Sequence, residues 1–313
     1  MLESAPSVVR GPAELLAAIP YVVGYHPDQC VVVVFITADG RLKCGLAVGR
    51  QAPVSFIVDK SIAGAAAADA AMAFVIGYGP LSDREWLTDI ADSLHAAVPV
   101  QTCLLVHEGR YYCLNRGCPC TPEQGAELDP GSSVIAAEMT LRGRVALPSR
   151  RDLDDLVAAD AEAQTRTAAA LGGLSRPMPD PVDVVHSSMA IAEAGDRLTD
   201  EQVAHLAVAL RGADGRTAAW LATTDQQWQH DLWLDLIRRV PDEYLVTPAN
   251  LLAWASWRRG ESALAWTALV KAATAAPDNT LSRLIATVLT TPIDPQKLPW
   301  PLPEGFNPEH LLG

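Results

Sequence analysis

The sequence predicts two architectures in one chain. The first is an α/β (α+β) N-terminal domain with a mixed sheet of about five strands flanked by helices, and the second is an all-α helical domain. Three observations carry this reading. β-branched runs such as CVVVVFI (30–36) and AFVIGYG (73–79) alternate with helix-forming stretches in the first half, whereas residues 184–291 show helical spacing throughout. Seven of the eight tryptophans fall at or beyond residue 220, so the two halves build different cores. Between them lies SRPMPDP, with three prolines in seven residues. The expected division is an α/β domain over 1–174, a proline-rich linker over 175–183, a helical domain over 184–291 and an extended tail over 292–313 holding six prolines.

The elements follow in order. PAELLAAI (12–19) reads as a short helix with proline near its start. CVVVVFI is a strand buried on both faces, Asp39-Gly40 signals a hairpin, and RLKCGLAVG alternates as a strand with one drier face. An alanine-rich helix is expected over about 60–71, and AFVIGYG is the next buried strand. Ser82-Asp83-Arg84-Glu85 has capping-box spacing, opening a helix with Trp86, Ile90 and Leu94 on its core stripe. VQTCLLVH (100–107) and RYYCL (110–114) form a hairpin around Glu108-Gly109; a two-residue turn pairs His107 with Arg110 and sets Leu104 opposite Cys113. A helix over 131–143 is bounded by N-cap serines and Gly143, and Pro148-Ser149 opens a single long helix over 150–172.

This order resembles that of the cytidine-deaminase-like fold. Zinc deaminases carry His-x-Glu at one helix start and Pro-Cys-x-x-Cys at the next. Here the corresponding stretches read DKSIAG and SDREW, without histidine or cysteine, so no deaminase chemistry carries over.

Bulk properties narrow the function. A net charge of −13 argues against a general nucleic-acid-binding surface, because neutralising phosphates requires a positive field. No stretch reaches the roughly 18 uninterrupted apolar residues of a membrane span, and the N-terminus lacks the basic region of a secretory signal. The expectation is a cytoplasmic protein with reduced thiols.

That expectation bears on YYCLNRGCPCTPEQG (111–125), which packs Cys113, Cys118 and Cys120 into eight residues. Zinc takes four ligands in a tetrahedron, and this spacing supplies three. Three readings stand: reduced, inert thiols; a structural zinc site; or a redox or nucleophilic centre. A second candidate is the cluster Arg142, Arg144, Arg150 and Arg151. The last two open a helix, where free amides also favour an anion, and the alternative is a solvated face paired with Asp152, Asp154 and Asp155. No HExxH, P-loop or G-x-S-x-G motif is present.

In the second half, LLAWASWRRGESALAWTALVKAATAAPDN (251–279) resembles a tetratricopeptide repeat. Leu252 and Ala253 take the first helix's packing positions, Gly260 the turn, Ala265, Leu269 and Ala272 the second helix's spacing, and Pro277 its end. Trp257 lies one position from the usual aromatic. An earlier unit ending at Pro241 carries Gln229 where the small alanine belongs. One good unit supports either a hairpin capping a bundle or a concave peptide-binding surface, since stable arrays take about three.

The segments PAELLAAIPYVVGYHPDQCVVVV, CPCTPEQGAELDPGSSVIAAE and GRVALPSRRDL, with the repeat-like segment through IATVL, together resemble an actinobacterial family of unknown function numbered 4192. That family commonly shows adjacent cysteines where this chain has Cys118-Pro119-Cys120. The resemblance implies no activity to transfer. The leading expectation is a non-enzymatic interaction or adaptor module with an unidentified protein partner. The alternatives are an enzyme or sensor for a small anionic ligand, using the cysteine loop and the arginines, and a structural component of an assembly.

Overall fold

The computed structural model describes residues 11–38, 40, 42–129, 134–141, 146–290, 295 and 298–301. The chain forms two compact units, Met1–Arg150 and Arg151–Gly313.

The first unit contains α1 (Pro12–Val23), β1 (Cys30–Thr37), β2 (Leu42–Gly49), α2 (Val54–Ala67), β3 (Ala70–Tyr78), α3 (Arg84–His95), β4 (Val100–His107), β5 (Arg110–Cys113), β6 (Ala126–Glu127) and α4 (Val134–Leu141). The strands make one sheet in the order β2-β1-β3-β4-β5-β6. It is mixed: β3 and β4 run parallel, joined by the α3 crossover, and the other neighbours are antiparallel. The sheet therefore has six strands rather than about five. The addition is the two-residue β6, too short to leave a periodic signal.

Strand alternation sets the core. Val31, Val33, Phe35, Val75 and Leu105 point to one face, where Ile57 of α2 and Leu87, Ile90 and Leu94 of α3 cover them. Leu87 takes the core position beside a half-buried Trp86 and fills the space that the absent Cβ of Gly77 leaves. Of the alternation expected on β2, Leu46 and Val48 pack on this core. The side chains of 41–45, Asp39, the N-cap serines and Gly143 lie outside the described residues.

Several boundaries move. Helix α2 starts at Val54, ahead of the alanine-rich run, and its first turns bury Ile57 in the core. The capping box at Ser82–Glu85 does not form: a short 3-10 turn, Leu81–Asp83, precedes α3, and Asp83 makes no side-chain cap bond. Its carboxylate is buried and instead accepts from Arg50 Nε at 2.5 Å, beside Gly79, where a Cβ would lie 2.7 Å from Asp83 Oδ2. An ion partner distant in sequence outcompetes the local amide.

The single long helix expected over 150–172 is two helices, α5 (Arg150–Leu156) and α6 (Ala161–Gly172). Asp160 separates them and caps α6, accepting from the Ala163 amide at 3.0 Å. The rest of the second unit is α7 (Pro181–Glu193), α8 (Asp200–Arg211), α9 (Ala213–Ala222), α10 (Gln227–Arg239), α11 (Val246–Arg258), α12 (Ser262–Ala275) and α13 (Thr280–Thr290). α6 packs with α8 and α10. α11 is buried on all sides from Pro248 to Arg258 and is the centre of this unit. Its Asn250 is held by a neighbour: the Ser282 hydroxyl donates to Asn250 Oδ1 at 3.0 Å, and Asn279 in turn accepts from the Ser282 amide at 3.0 Å, capping α13.

Candidate functional site

The hairpin of β4 and β5 positions the thiols. Glu108 and Gly109 both have positive φ (45° and 72°), the geometry of a two-residue turn that matches strand twist. The pairing is the one read from the sequence, with His107 against Arg110 and Leu104 against Cys113. Cys103 accordingly points into the core with Leu105 and Tyr112, and Cys113 points to the other face.

The chain then loops from Leu114 to Gly125, held by backbone-directed side chains. Asn115 Oδ1 accepts from the Cys103 amide at 2.8 Å while its Nδ2 donates to the Gln101 carbonyl at 2.9 Å, so one side chain ties the loop to β4. The Cys113 amide donates to the Thr121 hydroxyl at 3.0 Å. On the far side, Arg110 donates to the carbonyls of Gln124 and Gly125, at 2.8 and 2.7 Å. Gly125 has φ 77°, and the Tyr112 ring lies 2.7 Å from where a Cβ would stand, so glycine is required on both counts.

This frame brings Cys113, Cys118 and Cys120 together, with their Sγ atoms within 4.8 Å of one another. Cys118 and Cys120 are exposed and Cys113 is half-buried. Among the described residues no histidine, aspartate or glutamate joins the group. His107 is instead 3.9 Å from the Glu108 carboxylate at the hairpin tip.

The three thiols are electrostatically unequal. The Cys118 thiol is lowered below its usual range, first by the Cys120 thiol as hydrogen-bond donor, then by the Cys120 amide and the Cys113 thiol. Loss of solvent and the bonds to Cys118 and Cys113 push Cys120 up to about 12. Burial raises Cys113. One thiolate, at Cys118, is thus stabilised by two S–H groups, and a second negative charge is resisted. A thiophilic dication removes that resistance, because it displaces the protons and neutralises the accumulating charge. Cys30 and Cys103 stand apart from this chemistry: both are core thiols that burial pushes up to about 12.

The arginine candidates are not assembled in the same way. Arg142 and Arg144 lie outside the described residues. Arg150 sits over the Tyr25 ring, 5.9 Å from its centroid, and Arg151 is exposed, 3.9 Å from Asp155. In the helical unit, Leu252, Ala253, Ala265, Leu269 and Ala272 are buried between α11 and α12 and their neighbours. Gly260 turns the chain between the two helices with φ 78°, and Pro277 follows the end of α12 in an exposed turn.

Asn115, Thr121 and Arg110 were not singled out from the sequence. Asn115 and Thr121 carry a weak signal, as turn formers flanking glycine and proline. Arg110 carries none, since its role depends on where the loop returns.

Sheet, helical unit and three-thiol cluster define a class: a two-unit chain with three thiols gathered at the end of β5 and on the loop that follows it. The model of a domain of unknown function, DUF4192, matches residues 12–296, and the chain belongs to that family. No curated protein and no solved structure matches it. Among the described residues, no helix is long and apolar enough to cross a membrane.

Proposed function

We propose that the protein binds a thiophilic metal ion of the zinc class through Cys113, Cys118 and Cys120. The convergence of the three Sγ atoms within 4.8 Å carries this reading. Three thiolates on a loop braced by Asn115, Thr121 and Arg110 supply a preorganised face of a tetrahedron, and solvent or an exogenous group takes the fourth position. Such a site organises its loop, and it also leaves a coordination position that a sensor could use.

The test is metal content of untagged protein prepared without chelator, together with a thiol count before and after denaturation. The expected result is about one zinc per chain and about three thiols that become reactive only when the metal is removed. C118S and C120S should each lower zinc affinity at least about tenfold without changing the far-ultraviolet dichroism. Metal-free protein that still fails to take up added zinc, with all loop thiols titrating freely, would refute the proposal.

An adaptor role for the helical unit is a second reading. It is favoured by a peptide-like segment of the chain itself, Leu298–Pro301, seated against α9 and α11 through Trp300 and Arg258.

A further inference from the structure

We propose that the Cys113–Cys118–Cys120 cluster is a receptor for trivalent arsenic and its heavier congener antimony, taken from solution as the neutral trihydroxide and exchanged for the zinc-class ion. This rests on the reading of the three thiols as one coordination site and names a ligand class that the site takes.

The donor set carries the inference. The three Sγ atoms lie within 4.8 Å of one another, and among the described residues no histidine, aspartate or glutamate joins them. The polar side chains that brace the loop are already engaged. Asn115 gives its oxygen to the Cys103 amide and its nitrogen to the Gln101 carbonyl, and the Thr121 hydroxyl accepts from the Cys113 amide. His107 stands beside Glu108 at the hairpin tip. The site is therefore three sulfurs with one open side. Zinc fills a tetrahedron and must draw a fourth ligand from solvent. Trivalent arsenic is a soft centre that takes three ligands in a pyramid, with its lone pair at the fourth corner, so three sulfurs complete it.

Charge and access favour the same exchange. Three thiolates around a dication leave one negative charge over, whereas around a trivalent centre they leave none. Cys113 is half-buried, where an uncompensated charge is costly. Cys118 and Cys120 are exposed, so a small neutral solute reaches them directly. The step balances without an oxidant. Three As–O bonds break and three As–S bonds form. Each departing hydroxide leaves as water, taking its proton from a thiol in the metal-free protein or from solvent as zinc departs. Arsenic stays trivalent, and no sulfur is oxidised.

The experiment titrates the full chain, loaded with one equivalent of zinc in thiol-free, oxygen-free buffer, with sodium arsenite. Released zinc is read with a chromogenic chelator, and free thiols are counted on the native protein. The expected result is about one zinc released and about three thiols blocked per arsenic bound, with new ultraviolet absorption from As–S bonds. C118S and C120S should each weaken arsenic binding at least about tenfold, because the last bond of a chelate forms at high effective concentration. If these variants do not hold their fold, X-ray absorption on the arsenic-bound parent chain counts the sulfurs directly. Zinc that stays bound under a large excess of arsenite overturns the inference and leaves the zinc site standing. Two sulfurs per arsenic, with either serine variant binding as tightly as the parent, also overturns it. Arsenic held by three sulfurs in a chain that takes up no zinc supports it and refutes the zinc reading. Uptake of neither refutes both.

Discussion

The two units handle buried polarity in opposite ways. The sheet unit lets its backbone ladder satisfy most polar groups and fills the space between sheet and helices mainly with apolar side chains, from Val31 and Val33 to Leu87 and Ile90, while burying Ser61 and the Asp83 carboxylate that Arg50 pairs. Its clustered thiols stand at the end of β5 and on the loop after it. The helical unit threads polar side chains between its helices. Arg239, with only 4% of its side chain exposed, donates to the Leu198 carbonyl at 2.8 Å and to Asp235 and Asp200, both at 2.7 Å. Each carboxylate takes a second arginine, Arg197 on Asp235 and Arg166 on Asp200. The contrast teaches a general point. Strand register follows from backbone pairing, whereas helices satisfy their own backbones internally, so the choice of helix partner falls to side chains.

The comparison can be broken most severely at Arg239. Arg239→Met leaves two carboxylates and a carbonyl without their shared cation, and should cost about 3–5 kcal/mol in urea unfolding. A loss below about 1 kcal/mol would show that the network is not what aligns α8 with α10. In the sheet unit the corresponding break is steric. Gly77→Ala drives a methyl group into Leu87 and should cost about 1–3 kcal/mol, with recovery when Leu87 is shortened to valine. Additive losses in that double variant would contradict the contact.

Smaller effects sharpen the same contrast. Asp160→Ala removes the cap of α6 and should cost about 1 kcal/mol, read as a shift in the denaturation midpoint. The pH response should also be asymmetric. The Asp200 carboxyl is lowered below its ordinary range, first by the hydrogen bond from Arg239. Its folded value thus lies below the unfolded one, so its stabilisation is complete above about pH 4 and is lost as pH falls through the folded value. Asp200→Asn should flatten the drop in urea midpoint between about pH 5 and 2 relative to the parent chain. An equal drop in both proteins would remove Asp200 from the linkage.

The legibility of the sequence follows the same line. The strands read at 30–36 and 73–79 were visible because strands buried on both faces are continuous apolar runs, whereas the start of β3 at Ala70 was hidden in the alanine-rich stretch assigned to the preceding helix. The β4–β5 register was visible on the premise of a two-residue turn at Glu108-Gly109, against a bulged turn that would have shifted it, and the two-residue turn is the one that forms. The three thiols were visible as a cluster in the chain. The division between α5 and α6 was not, since Asp160 reads equally as a polar helix position and as a cap until the chain bends. Nor was the seating of Trp300, because a proline-rich tail offers no periodicity to interpret.

The sequence by itself determined the class of each unit, the order of the elements and the loop on which the thiols lie. These depend on local propensity and on side-chain period, which operate over a few residues. Tertiary structure alone decided that Asp83 would meet Arg50 instead of capping a helix, and that Asn115 would tie the cysteine loop to β4. It alone seated Leu298 and Trp300 against Arg258 and Trp254. Each of these joins groups at least 12 residues apart, where geometry set by the whole fold outweighs any local preference.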